Sequence, residues 1–322
     1  MAAPVNIDRA WENAVVSGTG TVSLSGSAQF GYQNFVNAGT GATVYYNIYD
    51  PQAGAWESGW GTYTITSSPA GTLTRNVLAS SNSNALVNFV GNPCNIQITL
   101  IAARQNIGYG FSNLVVETSG TSATWTVPTA IQIPGTPFKV TVIGGGGQGG
   151  GSNTTAGQIG AGGGSGGVNV IYLAYVSGQT TATYTVGPGG SGAAGNAAGN
   201  GGTASTFIYN SVTYTAGAGS GGTIYSTGTG GTGGTVSGGT LNLAGNPGGA
   251  GGTMAATSNY EGDGGDTPLG WGQGGKMPNT AAGAVGSVGT GYGAGGSGGR
   301  SGTGTTARAG GAGAGGIILI EY

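Results

Sequence analysis

Glycine constrains this chain more than any other feature. Of its 77 glycines, 62 lie beyond residue 135 in a sequence of 322 residues. That is about a third of the stretch, a density otherwise met in collagen. Ordering each residue costs roughly 1–2 kcal/mol, toward the upper end for glycine, which has no Cβ to restrict the unfolded chain. Side chains this small cannot offset that cost by apolar burial, so a folded state needs another source of stability.

Three arrangements can be weighed for the tract KVTVIGGGGQGGGS (139–152) and its continuation. The first is a dinucleotide-binding turn, since Gly144, Gly146 and Gly149 fit G-x-G-x-x-G. That turn needs a following helix and an acidic residue about 20 positions on. Here SNTTAGQIGAGGGSGG is a poor helix former, and no carboxylate occurs between Lys139 and Glu261. A P-loop is excluded because no lysine precedes Ser152. The second is a flexible linker. Apolar strand-like runs alternate with the glycine tracts, and a closing IILIEY follows them, which a linker would not require. The third is ordered polyproline II helix, with three residues per turn and no internal hydrogen bonds. Such rods must bond to one another through their backbones, so each contact face must lack side chains. Glycine every third residue is the expected signature. It occurs at 283, 286, 289, 295, 298, 304, 310, 313 and 316, and in shorter runs such as 189-192-195, 228-231-234 and 245-248-251. Collagen itself is excluded, because the period breaks and only 11 prolines are present. A compact domain of this size has room for rods of about 13 residues. The 283–316 series is therefore expected to fold as two or three rods, turning near Tyr292 and between Arg300 and Arg308.

Strand candidates surround these tracts. TWTV (124–127), FKVTVI (138–143), VNVIYLAYV (168–176), TTATYTV (180–186), STFIY (205–209), SVTYT (211–215), TLNLA (240–244) and GIILIEY (316–322) are expected to form a small β base. The first 105 residues read as a β-sandwich or barrel: TVSLSG (21–26), ATVYYNIYD (42–50), GTYTITS (61–67), LTRNVLAS (73–80), ALVNFV (85–90) and NIQITLIA (95–102) recur about every ten residues. No credible amphipathic helix is present. The expected fold class is all-β, with a β module over 1–105, a connector over 106–122 in which VVE (115–117) is a weak strand candidate, and a glycine-rich polyproline II domain over 123–322.

Composition removes several functions. Charged residues make up 5% of the chain and the formal net charge is −2. No basic patch points to nucleic acid or anionic lipid. There is no histidine, and Cys94 is the single cysteine, so neither an internal disulfide nor a cysteine zinc site can form. Cys94 reads as a small buried apolar side chain. Asp8, Arg9 and Glu12 interrupt the start before an apolar core develops, and no apolar run approaches the roughly 20 residues of a membrane span. The expectation is a protein made in a cytoplasm without a signal peptide, not inserted in a membrane, without cofactor or bound metal, and not an enzyme.

Two families are resembled. TWTVP (124–128), KVTVIGGGGQGGG (139–151), TYTVGPGG (183–190), NGGTAS (200–205), GGTLNLAG (238–245) and GGIILIEY (315–322) resemble, in order, the glycine-rich domain common in phage tail proteins. The distal adhesins of T-even-like phages are similar in kind, and the resemblance implies layered polyproline II rods whose tip loops meet a host-surface receptor, protein or glycan. The interior segments 223–229 and 258–280 depart from the repeat. IDRAWE (7–12), SGTGTVSL (17–24), GYQNF (31–35), GATVYYNIYD (41–50), WESGWGTYT (56–64) and GTLTRNVLASSNSNALVNF (71–89) resemble the N-terminal module of phage tail-fibre and accessory virion proteins. That resemblance implies a virion tail protein attached to its partners through the first module. A fibre also implies a homotrimer, although no heptads or threefold signature occur.

If rods form the scaffold, recognition falls to the turns. The segment SNYEGDGGDTPLGWGQGGKMPNT (258–280) stands out in a domain nearly free of charge and large side chains. Its Tyr260, Glu261, Asp263, Asp266, Trp271, Lys276 and Met277 are the receptor candidates, with Tyr225 and Tyr292 as further ones. Trp271 could instead cap a rod edge. The spacing of Glu261, Asp263 and Asp266 matches no calcium-loop pattern. Asp8, Arg9, Trp11 and Glu12 are the virion-docking candidates. Trp11, with Trp56 and Trp60, reads as a core or subunit-interface residue of the first module rather than as part of a sugar site. A non-adhesive decoration protein of the phage head or tail is the competing reading. Ice binding, which also uses polyproline II rods, would need a repeating threonine face that is absent.

Overall fold

The computed structural model describes residues 10–99, 111–225, 228–253, 262–278, 283–303 and 306–322. The described residues contain no α-helix, and the chain divides into two compact units.

The first unit is a seven-stranded, nearly closed barrel-like sheet. Its strands are β1 (Trp11–Gly18), β2 (Val22–Leu24), β3 (Ala42–Tyr49), β4 (Trp56–Ser67), β5 (Ala70–Leu73), β6 (Asn76–Ser80) and β7 (Phe89–Ile98). They pair in the order β1-β7-β3-β4-β5-β2, with β6 against β4. Alternation directs Val44, Tyr46, Ile48, Tyr63, Cys94, Ile96 and Ile98 into one core with Phe35 and Leu73. Burial pushes the Cys94 thiol up to about 11, as suits a small apolar core residue.

β1 was not expected, because its inward positions include a carboxylate. Glu12 is fully buried. It accepts hydrogen bonds from the N–H groups of Gly26 (2.9 Å) and Phe35 (2.8 Å), fastening the 26–35 segment to β1. The strand candidates ended at residue 90 and resumed at 95, yet β7 runs continuously through Pro93. The pairing of β3 with β7 covers only the stretch from Asn95 to Ile98, so the missing N–H at Pro93 leaves no gap toward β3. A second buried carboxylate, Glu57, accepts from Tyr46 Oη (2.7 Å), Val87 N–H (2.9 Å) and Arg75 Nε (2.9 Å). Burial opposes its charge, but the Arg75, Val87 and Tyr46 hydrogen bonds outweigh it and hold Glu57 below the usual carboxylate range.

Besides two short pairs, β11 (Gln158–Ile159) with β18 (Gly252–Thr253) and β19 (Gly272–Gln273) with β20 (Thr290–Gly291), the second unit has a β base of two five-stranded sheets. One has the order β17 (Leu241–Leu243), β12 (Val168–Ala174), β10 (Pro137–Ile143), β21 (Ile317–Glu321) and β8 (Leu114–Glu117). The other has β16 (Val236–Ser237), β15 (Val212–Ala216), β14 (Ser205–Tyr209), β13 (Thr181–Thr185) and β9 (Ala123–Thr126). Phe138, Val140, Val142, Ile318 and Ile320 of the first meet Trp125, Tyr184, Phe207 and Tyr209 of the second in one core. The anticipated connector over 106–122 therefore does not stand apart: its residues from 111 onward belong to this unit, and Leu114–Glu117 forms an edge strand on β21.

Rods grow directly out of these strands. β10 pairs with β12 up to Ile143 and Val168, and the pairing then continues as two rods, 144–152 and 160–167. The N–H groups of Gly144, Gly147 and Gly150 donate to the carbonyls of Gly167, Gly164 and Ala161. Those of Gly145, Gln148 and Gly151 donate to Thr203, Asn200 and Ala197, and those of Gly146, Gly149 and Ser152 to Ala314, Gly311 and Arg308. Each phase of three addresses its own neighbour, which is the threefold screw of polyproline II. Carbonyls of the same rod accept from three more segments, at Gly190, Gly219 with Gly222, and Gly296 with Gly299. The 144–152 rod thus has six neighbours. The 160–167 rod also has six: it donates to 217–223, 246–249 and 293–299, and accepts from 144–150, Gly231 with Gly234, and Gly265.

This packing explains the glycines. A Cβ at Gly144, Gly147 or Gly150 would collide with carbonyls of Gly217, Ser220 and Thr223, and one at Gly146 or Gly149 with those of Ala294 and Ser297. Rods at the bundle's centre have neighbours in every phase and are nearly all glycine; outer rods keep it only in the phases that face inward. The rods are shorter than the anticipated 13 residues, because the bundle is only as deep as the 144–152 rod, roughly 28 Å at about 3.1 Å per residue. The 283–316 series forms three rods, 284–289, 293–301 and 308–316, linked through Ala284–Arg300, Ser297–Ser287 and Gly286–Ala309 backbone bonds. Turns fall at Thr290–Gly291, beside Tyr292, and at Gly302, where the backbone is left-handed.

Candidate functional site

Each rod has one end at the β base and one end away from it. Described residues at the distal ends include 152–158, 191–197, 223–225, 228–229, 251–253, 262–263, 276–278, 283–284, 300–303 and 306–308. Serine side chains tie several of them together. Gln158 N–H donates to Ser301 Oγ (2.9 Å), and that hydroxyl donates to the Thr155 carbonyl (2.6 Å). Arg308 N–H donates to Ser152 Oγ (3.0 Å), and Ser152 N–H to the Arg308 carbonyl (2.9 Å). Gln148, the largest side chain of the central rod, spans three segments: its Nε2 donates to Ala193 and Gly310 carbonyls, and its Oε1 accepts from the N–H groups of Ala193 and Asn200. Exposed Thr154, Thr155 and Ala156 therefore stand on a fixed floor.

Among the described residues, the charged groups near this end are Asp263, Lys276, Arg300 and Arg308. Asp263 Oδ1 accepts from Met277 N–H (2.6 Å), while Lys276 Nζ lies 3.4 Å from Asp263 Oδ2. The Lys276 side chain is 68% exposed, so this pair adds little stability and leaves an ammonium group facing solvent. Arg300 is buried, and its Nη1 donates to the Pro278 carbonyl (3.3 Å), fixing the 276–278 turn. Arg300 and Arg308 were expected only to bracket a turn. The signal that marks them is their charge: they are two of the few cations in a region with almost none.

The structure divides the receptor candidates. Asp263, Lys276 and Met277 lie toward the distal end, as does Tyr225, beside a turn closed by Thr223 and Thr229. Asp266, Trp271 and Tyr292 lie toward the base, which corrects their assignment to a tip loop. The segment after residue 261 is two antiparallel rods, 262–267 and 273–278, joined at the base by a 3-10 turn at Pro268–Gly270. Trp271 and Tyr292 pack against the cluster of Ile143, Val168, Ile317 and Leu319. Asp266 Oδ1 accepts from Gly274 N–H (2.7 Å), holding the returning rod. The DTPLG sequence carries that turn: Pro268 opens it, and Leu269 and Gly270 both take left-handed φ, 61° and 74°. Trp271 is thus an edge cap of the rods, the alternative its sequence allowed.

Among the docking candidates, Glu12 is corrected as well: its buried carboxylate is committed to Gly26 and Phe35 and cannot meet a partner. Trp11 is half-buried, edge-on to Tyr32 at 4.7 Å. Asp8, Arg9, Tyr260 and Glu261 lie outside the described residues.

A family model for the glycine-rich domain matches residues 117–322. The chain belongs to that glycine-rich domain family. No curated protein matches it in sequence.

Proposed function

We propose that this is a phage virion protein of the tail-fibre, receptor-binding kind. In this reading the first unit attaches it to other tail proteins, and the distal turns of the glycine-rich unit contact a host-surface receptor, protein or glycan. The observation that carries the reading is the collection of Tyr225, Lys276 and Met277, with the exposed 154–156 turn, at the end of the rods opposite the β base. Six-neighbour packing leaves the scaffold no side-chain surface in its interior, so its recognition chemistry must sit on turns. Rigid rods hold those turns in register, which lowers the entropy lost on binding. The attachment role rests on the resemblance of residues 5–105 to phage virion modules.

The test is competition for adsorption. Purified full-length protein should block virion attachment to host cells, and Lys276→Glu and Tyr225→Ala should weaken the block while the melting temperature stays unchanged. Failure of the folded wild-type protein to compete would favour the decoration reading.

A further inference from the structure

The barrel of the first unit carries a second surface with its own chemistry. Because Tyr46, Ile48, Cys94 and Ile96 point into the core, alternation places Asn47, Tyr49, Asn95 and Gln97 on the outer face. Strand register assembles them. Tyr49 is opposite Trp56 on β4 and opposite Asn95 on β7, and Asn95 is opposite Asn13 on β1. One row further along, Asn47 is opposite Gln97. The Ser58 hydroxyl holds Asn47 by donating to its Oδ1 (3.0 Å). Directly opposed residues have Cβ atoms about 4.5–5.5 Å apart, so two aromatic rings and a row of amides form one continuous platform. Tyr49 is 40% and Trp56 39% exposed, enough to offer ring surface to a ligand.

Among the described residues, the platform carries no charge. Each described acidic or basic side chain of this unit is buried: Glu12, Asp50 and Glu57 fully, and Arg75 with 1% of its side chain exposed. Nucleic acid and acidic glycans would need cations here. A neutral oligosaccharide fits what is present. Its C–H faces can cover aromatic rings, and its paired hydroxyls match amides, which both donate and accept. We propose that this outer face, centred on Tyr49, Trp56 and Asn95, binds neutral oligosaccharide. The proposal is independent of the distal turns.

The experiment titrates the full-length protein with cellohexaose, maltohexaose and chitohexaose, following tryptophan fluorescence and saturation-transfer NMR. At least one probe should bind saturably. Trp56→Ala should weaken it about tenfold, the scale of one lost aromatic contact. Trp56→Phe should retain part of the affinity, Asn95→Ala should weaken it, and Lys276→Glu should leave it unchanged. Circular dichroism should show Trp56→Ala folded, because the ring is outside the core; exposed Asn13→Ala is a second variant that spares the core. The proposal is overturned if no probe saturates, if Trp56→Ala and Asn95→Ala both bind like wild type, or if Trp56→Ala turns an oligomer into a monomer, which would assign the face to a second copy of the chain.

Discussion

In the first unit, Phe35, Tyr46, Tyr63 and Leu73 fill the interior; in the 144–152 and 160–167 rods of the second, the interior holds nothing larger than Gln148. The barrel is stabilised chiefly by apolar area, at about 25 cal/mol per Å². The rods rely on paired peptide groups: each N–H from Gly144 to Ser152 donates to a carbonyl of another segment, at a net gain of about 0.5–1.5 kcal/mol per bond. The barrel tolerates variation in side-chain shape but needs its buried charges paired. The rod bundle has almost no buried charge but cannot accept a methyl group where backbones touch. Each unit should therefore fail for a different chemical reason.

The largest effect is expected at the bundle centre. Gly147→Val should abolish the folded second unit, exceeding the about 1–3 kcal/mol of ordinary overpacking, because a carbonyl rather than a flexible side chain occupies the place. Gly315→Ala is the control. Nothing lies within 4 Å of its would-be Cβ, so it should be neutral or stabilising by about 0.4–1 kcal/mol. Thermal melts of both variants check this. In the barrel, Glu57→Ala strands Arg75 without its partner and should cost about 3–5 kcal/mol, read as loss of the barrel's calorimetric transition with that of the glycine-rich unit intact.

Acid separates the units next. The folded-state value of Glu57 is depressed, so its stabilisation is present above the ordinary carboxylate range and is lost as pH falls through the folded value. Below about pH 4 the barrel should melt first, while the rods, bonded by peptide groups, persist; pH-dependent calorimetry would detect two separated transitions. Trp271→Ala should lower stability by about 2 kcal/mol, less than a fully buried tryptophan, and change adsorption only through folding. Lys276→Ala should shift stability by no more than about 0.5 kcal/mol yet reduce competition for adsorption.

The all-β class, the base strands and the threefold glycine period were legible in the sequence, because backbone contact leaves a direct compositional trace. What was not legible depended on partners far away in the chain. Glu12 looked like a surface charge because Gly26 and Phe35, which satisfy it, are not adjacent. Trp271 looked like a loop aromatic because its apolar neighbours, Ile143, Val168 and Ile317, come from three separate strands. The candidate site was half legible. Lys276 and Met277 reach the distal end, whereas Asp266 and Tyr292 turn back at the base, since rods of this length reverse the chain every few residues.

Amide hydrogen exchange tests the central claim most directly. If peptide groups form the interior, the N–H groups of 144–152 and 160–167 should exchange as slowly as those of β10 and β12, through global opening alone, although they belong to neither helix nor sheet. Exchange of these glycines at the rate of an unstructured chain, with the strands still protected, would contradict it.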